Sequence, residues 1–269
     1  CTGTGIENHA KYGDSIYFHN GAQTLYVNLF IASELDWKAR GIKIRQETAF
    51  PESDTTTLTI AGQKPAELEL KLRWPSWAKT GYAVSVNGQS QQLAGTPGSW
   101  VILRRTWRNG DTVTVTMPFG LGIEGFADNP DRFAFLHGPV VLAAPADPTK
   151  PFPAVVADRP AVTAALQPAG RPNTFTASPA VFRSPGGTTA VTFEPFYALH
   201  GGRHYQVYFD RFTPAQWREK EAEYAAALAR QRNGVGGAPH ARGTAERAGG
   251  ERPARHRCSL RRELCAGPD

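Results

Sequence analysis

The chain of 269 residues is 41% hydrophobic and carries a net charge of +6, a length that fits one large or two ordinary globular domains. No stretch approaches the roughly 18 apolar residues of a membrane-spanning helix, so we expect no membrane partner. The three cysteines, Cys1, Cys258 and Cys265, are too few and too widely spaced for a disulfide framework, and no signal segment indicates a compartment.

The first predicted element is a helix at the N-terminus. Apolar or small residues recur at three- and four-residue steps from Ile6 to Tyr17, which is the pattern of one helical stripe. Glu7 and Lys11 have the spacing of an i,i+4 ion pair on the opposite side. An Asn-Gly pair at 20–21 then predicts a turn.

From residue 25 the hydrophobic period changes from 3.6 to 2, which is typical of half-buried strands. Apolar and polar side chains alternate in four segments, residues 25–31, 42–45, 66–73 and 112–117. Asn-Gly pairs at 87–88 and 109–110 provide turn chemistry between strands. Short strands with one polar face predict an antiparallel β-sandwich over residues 23–121.

A second β-rich region is predicted over residues 122–231, after the segment FGLGIEGFADNPDR interrupts the alternation. Its strand-like segments are 133–144, 190–196 and 204–209, with a Pro-rich stretch at 145–187 between the first two. A helix closes the region. Thr213 is its predicted N-cap, Pro214 takes the first helical position, and Gln216 completes a capping box.

The end of the chain differs in composition from the rest. Residues 229–269 contain nine arginines and four acidic residues, so they hold +5 of the total charge and leave +1 for residues 1–228. Few of their side chains could enter a core, which predicts a disordered tail over residues 232–269. An RNA-binding arm and sequence read out of frame are alternatives for this tail. The nearly neutral remainder indicates that nucleic acid is not a partner.

Two pairs of titratable residues could carry chemistry. Glu124 and Asp131 could act as paired glycosidase carboxylates, or they could be polar residues at the rim between domains. His200 and His204 are four residues apart, but they lie in a predicted loop-to-strand segment rather than on a helix. That context does not favour a zinc site.

Cysteine and tryptophan residues offer two further candidate sites. Cys1 precedes Glu7 and His9, yet one cysteine cannot supply the four ligands that zinc usually takes. If Cys1 is functional, its partners lie outside this chain. Four tryptophans in the first β region could stack on sugars or could pack into the core: Trp74, Trp77, Trp100 and Trp107.

Several motifs occur in an order that resembles one known family. From the N-terminus they are CTGTGIENHAKYGDSIYF, LYVNLFIASEL, LRWPSW, FLHGPVVLA and PFYALHGGRHYQVYF. Over residues 1–231 the chain resembles the later part of the β-L-arabinofuranosidases, glycoside hydrolase family 127 and its relative family 146. The basic tail lies outside this resemblance.

The resemblance implies a large α/α-barrel catalytic domain followed by β-sandwich domains, with residues 1–22 as the end of that barrel. It also implies zinc, held by a Glu-x-Cys pair and two adjacent cysteines. One thiolate of the adjacent pair would be the nucleophile of a retaining hydrolysis, and a glutamate would be the acid/base. Cys1 matches the second adjacent cysteine, a zinc ligand. The nucleophilic cysteine is expected immediately before Cys1, so no catalytic residue is expected within the chain.

These inferences give one expected fold and two candidate functions. The fold is mainly β, with two antiparallel β-sandwich-type domains after a short N-terminal helix left from the barrel, then a C-terminal helix and a disordered tail. The expected function is that of a C-terminal fragment of a zinc-dependent retaining glycoside hydrolase, inactive alone, whose parent acts on arabinofuranosides or related glycans. The alternative is a non-catalytic carbohydrate-binding or interaction module. Sugar, linkage, compartment and oligomeric state stay open.

Overall fold

The computed structural model describes residues 2–235, so Cys1 and the predicted tail from residue 236 onward lie outside the described residues. The fold is mainly β, as the sequence predicts. Its α-helices are α1 (Thr2–Lys11), α2 (Arg159–Ala164) and α3 (Pro214–Val235). Short 3-10 helices span Gly13–Ser15, Lys38–Arg40 and Phe196–Ala198.

Ten strands precede residue 118. They are β1 (Tyr17–Asn20), β2 (Thr24–Val27), β3 (Ser33–Trp37), β4 (Ile42–Thr48), β5 (Thr55–Gly62), β6 (Ala66–Arg73), β7 (Ala83–Val86), β8 (Gln89–Ser90), β9 (Trp100–Trp107) and β10 (Thr112–Thr116). These strands form a four-stranded sheet of order β1-β2-β6-β9 and a six-stranded sheet of order β3-β4-β5-β10-β7-β8. We call this pair the first sandwich. Its pairs are antiparallel except β2 with β6, which is parallel.

The core of the first sandwich follows the alternation that the sequence shows. Ile42 and Ile44 are buried in β4 while Lys43 between them is exposed. In β6 the three leucines at 68, 70 and 72 are at most 2% exposed, and they belong to the same hydrophobic cluster as Ile42 and Met117. The sequence prediction of one buried face per strand is confirmed for these segments.

The predicted continuation of β2 through residue 31 is wrong. The strand ends at Val27, Ile31 is 40% exposed, and Phe30 is buried instead. Here the chain crosses from the four-stranded to the six-stranded sheet. The side chain of Gln46 donates hydrogen bonds to the carbonyl oxygens of Leu29 at 3.0 Å and Ile31 at 2.6 Å. The buried Gln46 amide thus provides hydrogen bonds to backbone carbonyl groups of the crossover, which have no strand partner.

The predicted N-terminal helix is shorter than its apolar pattern suggests. It ends at Lys11, Ile6 is 68% exposed, and Tyr17 already belongs to β1. Tyr17 pairs with Val27 across a hairpin whose turn holds Gly21 at φ +60°. Residues that would have extended the helical stripe therefore pair in the ladder between β1 and β2 instead. The predicted turn at 20–21 is confirmed.

The two other Asn-Gly pairs have different roles. Asn87 and Gly88, at φ +51° and +79°, close the hairpin between β7 and β8, where a two-residue turn requires positive φ. Gly110 also has positive φ, but its turn joins β9 to β10, which lie in different sheets. The pair at 109–110 is therefore a connection between sheets, not a hairpin.

The region after residue 118 contains eleven shorter strands. They are β11 (Leu121–Gly125), β12 (Arg132–His137), β13 (Val140–Pro145), β14 (Ala154–Val156), β15 (Leu166–Pro168), β16 (Phe175–Ala177), β17 (Phe182–Ser184), β18 (Gly187–Thr188), β19 (Val191–Pro195), β20 (Tyr205–Gln206) and β21 (Tyr208–Phe212). We call this region the second β unit. The Pro-rich stretch at 145–187 is part of it, because it supplies α2 and strands β14 to β17.

Aromatic side chains fill the core of the second β unit. Five phenylalanines lie in contact, with ring centroids 4.9–6.1 Å apart: Phe133, Phe135, Phe182, Phe193 and Phe209. All five are fully buried. Edge-to-face pairs of this kind stabilise a core beyond the area they bury, which suits a unit whose strands are short.

The closing helix begins as the sequence predicts. The backbone N–H of Thr213 donates to Oε1 of Gln216 at 2.8 Å, and the N–H of Gln216 donates to Oγ1 of Thr213 at 3.3 Å. This reciprocal pair is a capping box. Trp217 is buried near Phe212, which anchors the first turn of α3. Among residues 2–235, no helix is both long and apolar enough to cross a membrane.

Candidate functional site

The predicted zinc ligand cannot be placed, because Cys1 lies outside the described residues. The adjoining helix is described from Thr2 onward. In it, Glu7 and Lys11 form the predicted ion pair at 3.6 Å, with both side chains about two-thirds exposed. Among residues 2–235, no group of three or more His, Cys, Asp or Glu side chains is arranged to hold a metal. The described residues thus provide no zinc site of their own, and Cys1 stays a prediction.

The two pairs of titratable residues do not form sites in the structure. Asp131 accepts a hydrogen bond from Nε of Arg211 at 2.9 Å and lies 3.4 Å from Nη2 of Arg159. Hydrogen bonding to Arg211 holds the pKa of the Asp131 carboxyl below its usual value. Its partners come from β21 and α2, so Asp131 ties elements of the second β unit together. Glu124 is exposed on β11, and His200 is exposed in a loop.

The four tryptophans of the first sandwich pack rather than form a platform for sugars. Trp107 is 1% exposed and donates from Nε1 to the carbonyl oxygen of Leu68. Trp74 stacks on Tyr82 with centroids 4.6 Å apart. Trp77 and Trp100 make edge or tilted contacts with neighbouring rings. The packing interpretation is therefore the one that the structure supports.

A hydrogen-bonded histidine lies where the first sandwich meets the second β unit. Nδ1 of His137 is 2.8 Å from Oδ1 of Asn173, while Nδ2 of Asn173 donates to the carbonyl oxygen of Pro51 at 2.9 Å. Because Nδ2 faces a carbonyl, Oδ1 must accept, and His137 therefore carries its proton on Nδ1. The His137 ring packs edge-on against Phe119 and Phe175. This arrangement joins two cores and presents no nucleophile.

Two of the clefts on the surface of the first sandwich are lined by several charged side chains. The larger, about 870 Å³, lies at the end of the sandwich. Within it Lys43 lies 3.7 Å from Asp36, and Arg40 donates to the backbone carbonyl oxygen of Glu67. The second, about 630 Å³, is lined by three arginines of one strand segment, Arg104, Arg105 and Arg108. We call this second cleft the arginine groove.

The sequence analysis missed both the His137–Asn173 bridge and the arginine groove. The bridge links residues 36 and 122 positions apart in the chain, so no local pattern could have shown it. The groove had a local signal. Its segment RRTWR breaks the alternation of β9, because Arg105 occupies a position on the buried face.

The described residues form two β-sheets packed around one core and joined to a second β-rich unit. This architecture defines the class of protein as a β-sandwich assembly. Comparisons with known proteins show which family within this class the chain resembles. Residues 24–119 match the sequence profile described as Beta-L-arabinofuranosidase, GH127 middle domain. This stretch runs from β2 to just past β10, so it contains nearly all of the first sandwich. The resemblance to the GH127 family that the sequence predicts is confirmed. No curated protein sequence matches the chain.

Solved structures agree with this fold. A GH127 beta-L-arabinofuranosidase from Geobacillus stearothermophilus T6 matches with a TM-score of 0.60 and 22% identity, over 76% of this chain and 36% of that one. A second GH127 beta-arabinofuranosidase matches with a TM-score of 0.53 and 23% identity, over 74% of this chain and 37% of that one. A structure described as a glycoside hydrolase matches with a TM-score of 0.53 and 20% identity, over 70% of this chain and 36% of that one. The chain therefore spans just over a third of the length of these relatives.

Proposed function

We propose that this chain is the β-sandwich portion of a glycoside hydrolase of the β-L-arabinofuranosidase type, and that the whole enzyme acts on arabinofuranosides or related glycans. The observation that carries the proposal is the match of residues 24–119 to the GH127 middle domain. Three similar structures described as glycosidases support it through their fold. The portion of those relatives that this chain does not cover is where we place the sugar-binding catalytic site.

The proposal assigns Cys1 as one zinc ligand of the whole enzyme and a cysteine immediately before it as the nucleophile of a retaining hydrolysis. Support comes from the order of the N-terminal residues, Cys-Thr-Gly-Thr-Gly, which resembles the family motif. Zinc would keep a coordinated cysteine as thiolate. The proposal places the remaining ligands and the acid/base glutamate in the portion of the relatives that this chain does not cover.

This assignment predicts that the chain alone is inactive. Retaining hydrolysis needs a nucleophile and an acid/base about 5 Å apart on either side of the sugar carbon. The acidic side chains suggested for chemistry are otherwise engaged or isolated: Glu7 pairs with Lys11, and Asp131 with Arg211. The alternative function, a non-catalytic carbohydrate-binding or interaction module, is less favoured because each of the four tryptophans contacts neighbouring groups of the sandwich.

One experiment tests the proposal at two levels. First, the codons upstream of Cys1 are read: a cysteine codon directly before it and a Glu-x-Cys pair further upstream are expected, whereas a start codon or a linker would contradict the proposal. Second, an aryl β-L-arabinofuranoside is offered to the 269-residue chain and to the longer protein from the same reading frame. We expect turnover only by the longer protein.

Cysteine variants of the longer protein complete this experiment. Cys1→Ala should lower the zinc content and the turnover together, because a four-ligand site would keep three ligands. Cys258→Ala is the matched control, since it removes a thiol from the basic tail, and it should leave both values unchanged. Turnover by the 269-residue chain that disappears in Cys1→Ser would show that the assignment of Cys1 as a ligand, not the nucleophile, is wrong.

A further inference from the structure

The arginine groove lies at the open edge of the first sandwich. One wall is β9, the edge strand of the four-stranded sheet, and the other is the segment after β8, the edge strand of the six-stranded sheet. The groove has a volume of about 630 Å³, which is within the usual range for small-ligand sites. It is thus a concave surface between two sheets, with backbone and side chains of both available to a ligand.

The charges in this groove are not balanced. Arg104 pairs with the carboxylate of Glu69. By contrast, within residues 2–235 neither Arg105 nor Arg108 forms an ion pair with a carboxylate. Asp111 lies near both, but its two oxygens already accept hydrogen bonds at 2.8 Å from Nδ2 of Asn87 and from the backbone N–H of Arg108. Within residues 2–235 neither guanidinium donates to Asp111, so both keep N–H donors for a ligand, while the Asp111 carboxylate offsets part of their positive charge.

The position of Arg105 is unusual for a surface arginine. It lies on the face of β9 that also carries the buried Leu103 and Trp107, so its side chain points toward the mouth between the sheets. Its guanidinium carbon lies 5.2 Å from the centroid of the Trp107 ring, a cation–π contact that limits its freedom. A partly immobilised guanidinium loses less entropy when it binds an anion.

The other lining residues suit a sugar. Ile102 is 48% exposed and offers an apolar patch to the C–H face of a pyranose ring. Gln91 and Gln92 line the opposite wall. Nε2 of Gln91 already donates to the carbonyl oxygen of Gln89, and the Gln92 amide can both donate to and accept from hydroxyl groups. A guanidinium fork matches the two oxygens of a carboxylate. These features together fit a ligand that carries hydroxyls, an apolar face and a carboxylate.

We propose that the arginine groove binds uronate residues of an acidic glycan, with Arg105 and Arg108 holding the carboxylates. This site is separate from the proposed hydrolytic centre, and its binding requires no turnover, so it can fail or succeed independently of the proposed function. A nucleic acid fits less well. Residues 1–228 carry a net charge of only +1, which cannot give the broad positive field that a polyphosphate backbone requires.

Edge protection is the competing explanation for these arginines. Charged side chains on an edge strand prevent it from pairing with another sheet, and Arg105 points inward as such residues often do. Edge protection predicts self-association when the arginines are removed and no preference for any glycan. The uronate proposal predicts a preference for free carboxylates, so one set of measurements separates the two.

The test is calorimetric titration of the 269-residue chain with an oligogalacturonide and with its fully methyl-esterified form. The two ligands share the same sugar ring and linkage and differ in the carboxylate charge. We expect the free acid to bind at least about tenfold more tightly than the ester, because charge-assisted hydrogen bonds are lost in the ester. The affinity for the free acid should also fall as salt rises from 50 to about 200 mM.

Two double variants with the same loss of charge are compared. Arg105→Gln with Arg108→Gln should weaken binding of the free acid about tenfold or more. Arg45→Gln with Arg218→Gln removes two exposed arginines elsewhere and should change the affinity less than twofold. If loss of the contact with Trp107 unfolds the first double variant, Arg108→Gln alone is used, because the Arg108 side chain is exposed.

Three results would overturn the proposal. Equal affinity for acid and ester would exclude carboxylate recognition. Equal weakening in both double variants would show a nonspecific charge effect, as would tighter binding of dextran sulfate than of the oligogalacturonide. Self-association of the groove variant, with its glycan affinity unchanged, would assign the arginines to protection of the edge strand.

Discussion

Single buried polar side chains fix the irregular parts of this chain. Gln46 is 1% exposed and its amide holds the crossover after β2, while Asn173 is 5% exposed and connects Pro51 to His137. Buried polar groups are costly unless hydrogen-bonded, so each of these residues is tied to one particular local structure. A hydrophobic pattern cannot reveal such positions, because the side chain is polar and its partner is distant in sequence.

Asp111 offers a test at this scale. Its carboxylate is buried and accepts hydrogen bonds from Asn87 Nδ2 and the Arg108 N–H. In Asp111→Asn the new amide nitrogen would face the amide of Asn87, or would leave the Arg108 N–H unpaired. We expect a loss of about 1–2 kcal/mol in the free energy of unfolding at pH 7, measured by urea denaturation. Asp147→Asn is the control, since Asp147 bonds only within its own exposed turn, and its loss should be smaller.

The same variant should change the dependence of stability on pH. Hydrogen bonds from Asn87 and Arg108 hold the pKa of Asp111 below its usual 3.8. A lowered pKa in the folded state stabilises the fold above the unfolded value, and this contribution disappears as the pH falls from about 3.8 through the lowered pKa. The difference in the free energy of unfolding between wild type and Asp111→Asn should therefore shrink as the pH falls through that interval. A constant difference between the two proteins down to pH 2 would contradict this account.

At the residue scale, only part of the candidate sites could be predicted from the sequence. The role proposed for Cys1 rests on a family resemblance alone, because Cys1 lies outside the described residues. The arginines at 105 and 108 were visible in the sequence, but the opposite wall of their groove, Gln91 and Gln92, comes from the other sheet. Spacing along one strand does not encode that proximity.

Secondary structure elements were the most predictable level of this protein. Period-2 alternation correctly located β4, β6 and β10, and turn chemistry correctly located the hairpin at 87–88. Errors occurred where tertiary pairing overrides a local pattern: helix α1 stops early because Tyr17 joins a ladder, and β2 stops early because the chain changes sheets. The Pro-rich stretch gave no periodic signal because its strands are only three residues long.

The N-terminus of α3 provides the test at the scale of an element. Thr213→Ala removes the oxygen that accepts from the Gln216 N–H, so the first turn keeps an unpaired donor. We expect a loss of about 1 kcal/mol in the free energy of unfolding and faster amide exchange at residues 215–217. Thr213→Ser keeps the hydroxyl and is the matched control. If the two variants exchange equally fast, the capping box does not hold this helix end.

At the scale of the whole molecule, residues 2–235 contain two cores whose connection no local pattern predicts. One cluster runs from Leu25 to Met117 and the other from Phe133 to Phe209, yet residues 1–229 form one compact unit. Phe119 lies between them, with its ring 5.4 Å from Trp77 on one side and 5.5 Å from His137 on the other. The contact brings together loops that the sequence separates, so fold class could be inferred from strands but this junction could not.

We expect the two cores to unfold together because of this junction. Calorimetry on the 269-residue chain should show one transition, and Phe119→Ala should lower the free energy of unfolding by about 2–3 kcal/mol, the low end for a phenylalanine truncation because the ring is only partly buried. Loss of the shared ring should also broaden or split the transition.

Phe126→Ala is the matched control. Phe126 is 43% exposed and contacts Tyr208 within the second β unit, so this variant should still unfold in a single transition. Two separate transitions in the wild type would show that the first sandwich and the second β unit unfold independently, with Phe119 and Asn173 contributing contact but no cooperativity.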